Sequence, residues 1–284
     1  MCVIWTAERD IAQVPGVLMT TANATTAEPW LTALHASSDR LASAVGDLSE
    51  EELTRPSFAR QWSIADVLSH LGSGAQISAG LVERGLAGGT QPPRREELAP
   101  VWDHWNALRP ADQRARWIEA DSRHLRMLDE LGGEERAVLR VPYFAGLMDL
   151  ATYAGYRLSE QSVHAWDVQV ALDPGIVIPP AEAALLWERI DVVATRFRGG
   201  AVLARLAPAS ITVDRTDSPG SATLLLASEL HIYPCAPADP TATLTGTTES
   251  LVRLIYGRNR PGLDGLSASG SVDVNELRAL FPGY

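Results

Sequence analysis

Cysteine is nearly absent: Cys2 and Cys235, at opposite ends of the 284-residue chain, are the only two. A disulfide framework is thereby excluded, and a reducing compartment, the cytoplasm, is expected. Basic residues are also few, 24 against 35 acidic ones for a formal net charge of -11, and they are dispersed. Nucleic acid is excluded as a partner, because binding phosphates needs a concentrated positive patch. No run approaches the ~20 apolar residues of a membrane span, so no membrane partner is expected. The first 26 residues hold Glu8, Arg9 and Asp10 and no apolar stretch long enough for a signal peptide. They are expected to form a flexible extension, with either Met1 or Met19 as the start.

What remains is long enough for two domains at ~100–200 residues each. Over 28–46, Trp30, Leu34, Leu41 and Val45 recur at helical intervals, with Pro29 in the first turn. Ser63 is placed to cap a second helix, Asp66 sits at the capping-box position, and Trp62 can staple onto Val67. Its stripe of Ile64, Val67, Leu68 and Leu71 leads on to about Gly85. Residues 88–95, rich in Gly, Pro and Arg, read as a loop that can rim a pocket. A third helical region over about 97–131 is interrupted at Pro110, a fourth over about 146–172 is stopped by Asp173, Pro174 and Gly175, and a fifth covers 180–197. Gly199 and Gly200 then mark a boundary. Beyond it, 211–216, 222–227, 242–245 and 266–269 are β-prone, while 250–256 and 274–280 read as helices. The expected division is an extension over 1–26, a helical bundle over 27–198 and a small α+β module over 201–284.

Chemistry concentrates on the fourth helix. Glu160 and His164 lie four residues apart, so both project from one face with Cβ atoms about 6 Å apart, and one ion can take both. Asp167, further along that face, can hydrogen-bond the second nitrogen of a ligating imidazole and fix its tautomer. Arg157 can pair with a nearby carboxylate. Holding zinc with one position open for chemistry requires a third protein ligand. His104 and His124 fall about 200° apart around an unbroken helix and cannot easily share an ion. His35 lies among small polar residues, and His231 lies in the strand-rich part. His70 sits on the edge of an apolar stripe, followed by Gly72, Ser73 and Gly74, which leave room for an ion and a bound molecule. Spacing alone leaves a shortlist for the third ligand, since a Glu and a His one turn apart are common on exposed helices.

The string Gln61-Trp62-Ser63-Ile64-Ala65-Asp66-Val67-Leu68-Ser69-His70-Leu71 resembles the second-helix signature of the DinB-like metalloprotein superfamily, in particular its mycothiol-dependent maleylpyruvate isomerase branch. Arg157, Glu160, His164, Ala165, Trp166 and Asp167 are similar to that branch's Glu-x-x-x-His-x-x-Asp pattern. Residues 242–246, 251–258 and 266–270 resemble the small C-terminal domain of many such proteins, itself similar to sterol-carrier folds. The resemblance implies a mainly α protein, a DinB-like four-helix bundle followed by a small α+β domain. It implies His70, Glu160 and His164 as ligands of zinc or another divalent metal, and mycothiol as thiol co-substrate. It also implies an assisting arginine in the C-terminal domain, for which Arg258 and Arg260 are the nearest matches.

On that basis the expected function is a metal- and thiol-dependent S-transferase or cis-trans isomerase acting on a small, carboxylate-bearing electrophile, as a monomer or homodimer. Arg258 or Arg260 is expected to clamp the substrate carboxylate bidentately, and Trp166 is expected to pack. The same site using metal-bound water would serve a hydrolase. A binding or regulatory scaffold is the non-enzymatic alternative.

Overall fold

Capping and proline placement set the helices of the first two-thirds. A computed structural model describes residues 26–59 and 61–283, so the expected extension lies outside the described residues except for Thr26. The helix α1 (Glu28–Val45) is followed by a single turn, α2 (Glu50–Leu53), and by α3 (Ile64–Leu86). At the start of α3, Ser63 Oγ accepts from the Asp66 amide at 3.1 Å and the Asp66 carboxylate accepts from the Ser63 amide at 2.9 Å, the reciprocal box expected of that pair. Ser49 and Glu52 make the same box on α2, a signal present in the sequence but not read there. After α4 (Arg95–Asn106), Pro110 opens α5 (Pro110–Asp129), where its missing N–H costs nothing.

The expected fourth helix begins later than its apolar pattern implied. A short α6 (Gly133–Val138) leads into an antiparallel hairpin, β1 (Val141–Tyr143) with β2 (Gly146–Met148), in which Gly146 takes a φ of 117°. Only then does Asp149 cap α7 (Leu150–Leu172), accepting from the Thr152 amide at 2.8 Å. The expected fifth helix is two, α8 (Pro180–Glu188) and α9 (Ile190–Arg196), broken at Arg189. The Arg189 guanidinium stacks 4.0 Å from the Tyr156 ring centroid and donates to the Thr152 carbonyl, which ties the break to α7. The long helices α1, α3, α5 and α7 form a four-helix bundle, α1 packing on α7 and α5, and α3 on α5 and α7.

After α10 (Gly200–Leu206) come β3 (Ala209–Arg215), β4 (Ser221–Leu226), β5 (Leu230–Tyr233), β6 (Ala242–Gly246), α11 (Thr248–Ile255), β7 (Ser267–Gly270) and α12 (Val274–Leu280). The sheet order is β5-β4-β3-β6-β7, with β3 and β6 parallel and the other neighbours antiparallel. Ala209, Ile211 and Val213 alternate inward with Ala242 and Leu244, so the sheet buries one face. This α+β part shares a continuous apolar core with the bundle, running from Leu34 and Leu158 to Ile211, Leu244 and Leu251. No helix of the described residues is long and apolar enough to cross a membrane.

Helix contact near the site depends on one missing side chain. A Cβ at Gly72 of α3 would lie 2.2 Å from the Trp105 ring, which is buried and held by its Nε1–H bond to Gln76 at 2.7 Å. Gly72→Ala is therefore expected to destabilise the fold by about 1–3 kcal/mol through overpacking, despite its better helix propensity. Denaturant unfolding of the variant checks this, and an unchanged or raised midpoint would refute it.

Candidate metal centre

Packing of α3 against α7 brings His70 to Glu160 and His164. His70 Nε2 lies 3.2 Å from Glu160 Oε2, and His164 Nε2 lies 3.8 Å from the same oxygen. One donor atom from each of the three falls within 4.8 Å of the others, and among the described residues this is the one such group. Donors about 2.0–2.1 Å from a shared tetrahedral ion stand roughly 3.3 Å apart, so the donor set fits a divalent cation with minor side-chain adjustment. Two neutral imidazoles and one carboxylate suit zinc, and three protein donors leave a fourth position open. The opening is real: the Glu160 and His70 side chains keep 30% and 23% of their exposure, whereas His164 keeps 4%.

The buried side of the centre is organised from the far end of the chain. Asp167, fully buried, lies 3.0 Å from His164 Nδ1, which directs that ring's Nε2 toward the centre. Arg258 donates to Asp167 through Nη2 at 2.8 Å and Nε at 3.1 Å, and through Nη1 to the Tyr256 carbonyl at 2.9 Å. Burial pushes Asp167 up, but the Arg258 guanidinium and His164 together hold it below the ordinary carboxylate range. Burial pushes His164 down against the pull of Asp167, so it stays a neutral ligand. Burial raises Glu160, yet the hydrogen bond from His70 and the nearby charges of His70, His164 and Arg157 bring it to about 2. Glu160 therefore stays ionised near neutral pH and offers an anionic donor to a cation.

The docking of α11 explains this arrangement. Arg253 lies over the Trp166 ring at 5.0 Å, pairs with Glu249 and donates to the Arg258 carbonyl, and the Tyr256 hydroxyl bonds Ser159 of α7 at 3.0 Å. Between Tyr256 and Arg258, Gly257 has a φ of 72° and approaches Gly283 so closely that a Cβ would lie 2.3 Å from that backbone. Trp166 packs, with Phe58 edge-on at 4.8 Å and Nε1–H to the Ile176 carbonyl.

The other expected site residues are placed differently. The Arg258 guanidinium is bonded to the buried Asp167. Arg260 donates to the Pro174 carbonyl past the end of α7, apart from the three donors. Arg157 is buried on the face of α7 that carries Glu160 and His164, but it forms no ion pair with a carboxylate of the described residues, because its surroundings are phenols. His35 pairs with Asp129, His104 meets Arg116, His231 lies between Asp191 and Glu229, and the buried His124 meets the Tyr153 hydroxyl. Two neighbours of the site were not expected there from the sequence. Trp62 covers both imidazoles, with ring centroids 5.1 Å from His70 and 5.8 Å from His164, and Tyr143 of the unforeseen hairpin neighbours Arg157.

A family model described as the mycothiol maleylpyruvate isomerase N-terminal domain matches residues 34–169, which carry all three donors. Solved structures of a mycothiol-dependent maleylpyruvate isomerase and of a histidine-to-alanine mutant of it are similar to this chain with TM-scores of 0.63. Their identities are 18% and 17%, over 86% of this chain and 92% of theirs. At that identity the likeness establishes the shared fold, bundle and α+β part together. YfiT from Bacillus subtilis, described as a probable metal-dependent hydrolase with an unusual four-helix bundle topology, overlaps less, at a TM-score of 0.41 and 16% identity over 54% of this chain and 89% of its own. No curated protein matches the chain in sequence. The helices that gather His70, Glu160 and His164 thus lie within the stretch, residues 34–169, that matches the mycothiol maleylpyruvate isomerase N-terminal domain model.

Proposed function

We propose that this protein is a metal- and thiol-dependent enzyme, an isomerase or S-transferase that uses mycothiol and acts on a small electrophile, with zinc held by His70, Glu160 and His164. The observation that carries the reading is the convergence of those donors at a partly open mouth, within the residues that match the mycothiol maleylpyruvate isomerase N-terminal domain model. A divalent cation bound there supplies acidity to a thiol sulfur, which is otherwise mostly protonated near neutral pH.

The chain's own side chains do the rest. Asp167 keeps His164 in one tautomer and orientation. Trp62 packs against the two imidazole rings on one side. Glu160 takes up one positive charge of the cation, which leaves the centre net positive and favourable to an anionic sulfur. Addition of a thiol to an activated double bond, rotation, and expulsion of the same thiol give isomerisation. Retention of the sulfur gives conjugation.

Calorimetric titration of mycothiol into the zinc-loaded protein tests the reading. Saturable binding near one equivalent is expected, absent from the metal-free protein. A fully loaded protein that binds no thiol would overturn it in favour of hydrolysis by bound water.

A further inference from the structure

Arg157 is the buried cation that the metal centre leaves over. It lies one helical turn before Glu160 on α7, and its Nη1 comes within 3.3 Å of where a Cβ on Gly74 would sit, one turn after His70 on α3. The two helices thus pair a ligand with a guanidinium seat at successive levels: His70 with Glu160, then Gly74 with Arg157. Any side chain at Gly74 would crowd that seat.

Its bonding is incomplete. The residue is 3% exposed, and its Nε–H has no acceptor. The Tyr143 hydroxyl accepts a hydrogen bond from it, but Tyr143 is a neutral phenol that burial pushes up to about 12. One turn away on the same face, Gln161 is fully buried with both amide atoms unpartnered, and His124 leaves Nδ1 unpartnered. Buried polar atoms are nearly always satisfied by protein, water or ligand. An unpaired buried charge is costly, by several kcal/mol after relaxation. The carboxylates nearest in electrostatic effect are Glu160, whose charge is taken up when a cation is bound, and Asp121, which burial drives toward its neutral form. A cation held by Glu160 would take up the nearest negative charge, leaving the Arg157 guanidinium with an unpartnered Nε–H and no ionised carboxylate bound to it.

We infer that Arg157 is the anion-binding residue of this site, seating a carboxylate of the small-molecule substrate next to the metal ligands. It takes the role that the sequence had offered to Arg258 or Arg260. The inference rests on the thiol-dependent reading above. A guanidinium fork matches a carboxylate bidentately, and its position one turn from Glu160 places that carboxylate within a short molecule's length of the thiol sulfur.

The test uses two small thiols on the cobalt-substituted full chain, following the sulfur-to-cobalt charge-transfer absorption. 3-Mercaptopropionate carries a carboxylate where 2-mercaptoethanol carries a hydroxyl. The wild type is expected to bind the first about 10–100-fold more tightly, the worth of a charge-assisted bond. Arg157→Gln should bring the two within about twofold with cobalt content and 2-mercaptoethanol binding unchanged, and Arg157→Lys should keep part of the preference. Equal binding of both thiols to the wild type, with a normal absorption band, overturns the anion site and leaves the thiol reading standing. A preference unchanged in Arg157→Gln, or in Arg157→Lys if the first variant folds poorly, assigns it to another group and also overturns the proposal. If neither thiol produces the band, the thiol reading falls and takes this inference with it.

Discussion

Replacing His164 with alanine is expected to empty the metal centre. Wild-type protein purified without added metal should carry close to one divalent ion per chain, and His164→Ala close to none after dialysis against a mild chelator. The loss should exceed the ~10–100-fold that removal of an outer hydrogen-bonding partner costs, because a direct donor is gone and Glu160 and His70 cannot hold the ion by themselves. Glu160→Gln gives an independent version: it keeps the side chain's shape but removes the negative charge and one oxygen donor that both imidazoles face at 3.2 and 3.8 Å. Thermal unfolding adds a second readout. A ligand that binds only the folded state at a hundred times its Kd stabilises by about 2.7 kcal/mol, so zinc should raise the wild-type midpoint and leave both variants where they are. Equal metal content in wild type and His164→Ala would sink the assignment of all three ligands at once, since the site has no fourth protein donor among the described residues to take over.

How much of this was legible in the sequence depends on the range of each contact. Glu160, His164 and Asp167 share one helix face, so a periodicity of 3.6 residues is enough to put them together. The Ser63–Asp66 box is likewise local, and the start of α3 falls where the sequence placed it. His70 is different: it reaches Glu160 only through packing of α3 on α7, so spacing could shortlist it and no more, and the family resemblance had to choose. The strand β5 was missed because four residues, Leu230 to Tyr233, offer too short an alternation to register; of the hairpin before α7, β2 was absorbed into the helix because Leu147 and Met148 continue an apolar pattern, and β1, three residues long, fell between the expected helices. The arginines show the limit most plainly. From sequence, Arg157 looked like a partner for a carboxylate and Arg258 or Arg260 like a clamp for substrate. The fold reverses them, because α11 carries Arg258 onto the buried Asp167 while the phenols of Tyr143 and Tyr153 surround Arg157. Which of two cations meets an anion is a tertiary fact with no local pattern behind it.

That reversal sets the second large effect. Arg258→Met is expected to destabilise the folded protein by about 3–5 kcal/mol, the cost of leaving one member of a buried ion pair without its partner. Asp167 is fully buried, and without the guanidinium its remaining side-chain partner at hydrogen-bond distance is the neutral His164 ring. Asp167→Asn should destabilise too, since Arg258 loses its carboxylate, but its signature lies at the centre: the His164 ring loses the acceptor that sets its tautomer, and metal affinity should fall ~10–100-fold. The double variant Asp167→Asn/Arg258→Met removes both charges together and should recover part of the loss, with an interaction energy of about 0.5–3 kcal/mol in the double-mutant cycle. Unfolding by denaturant for all four proteins, with metal affinity by chelator competition, separates the possible roles of Arg258. If it served only to hold substrate, Arg258→Met would lose activity with stability and metal affinity intact and the cycle would show no coupling to Asp167. Coupling of the predicted size would mean that the C-terminal α+β part acts on the metal centre through one salt bridge, by fixing the carboxylate that fixes the imidazole.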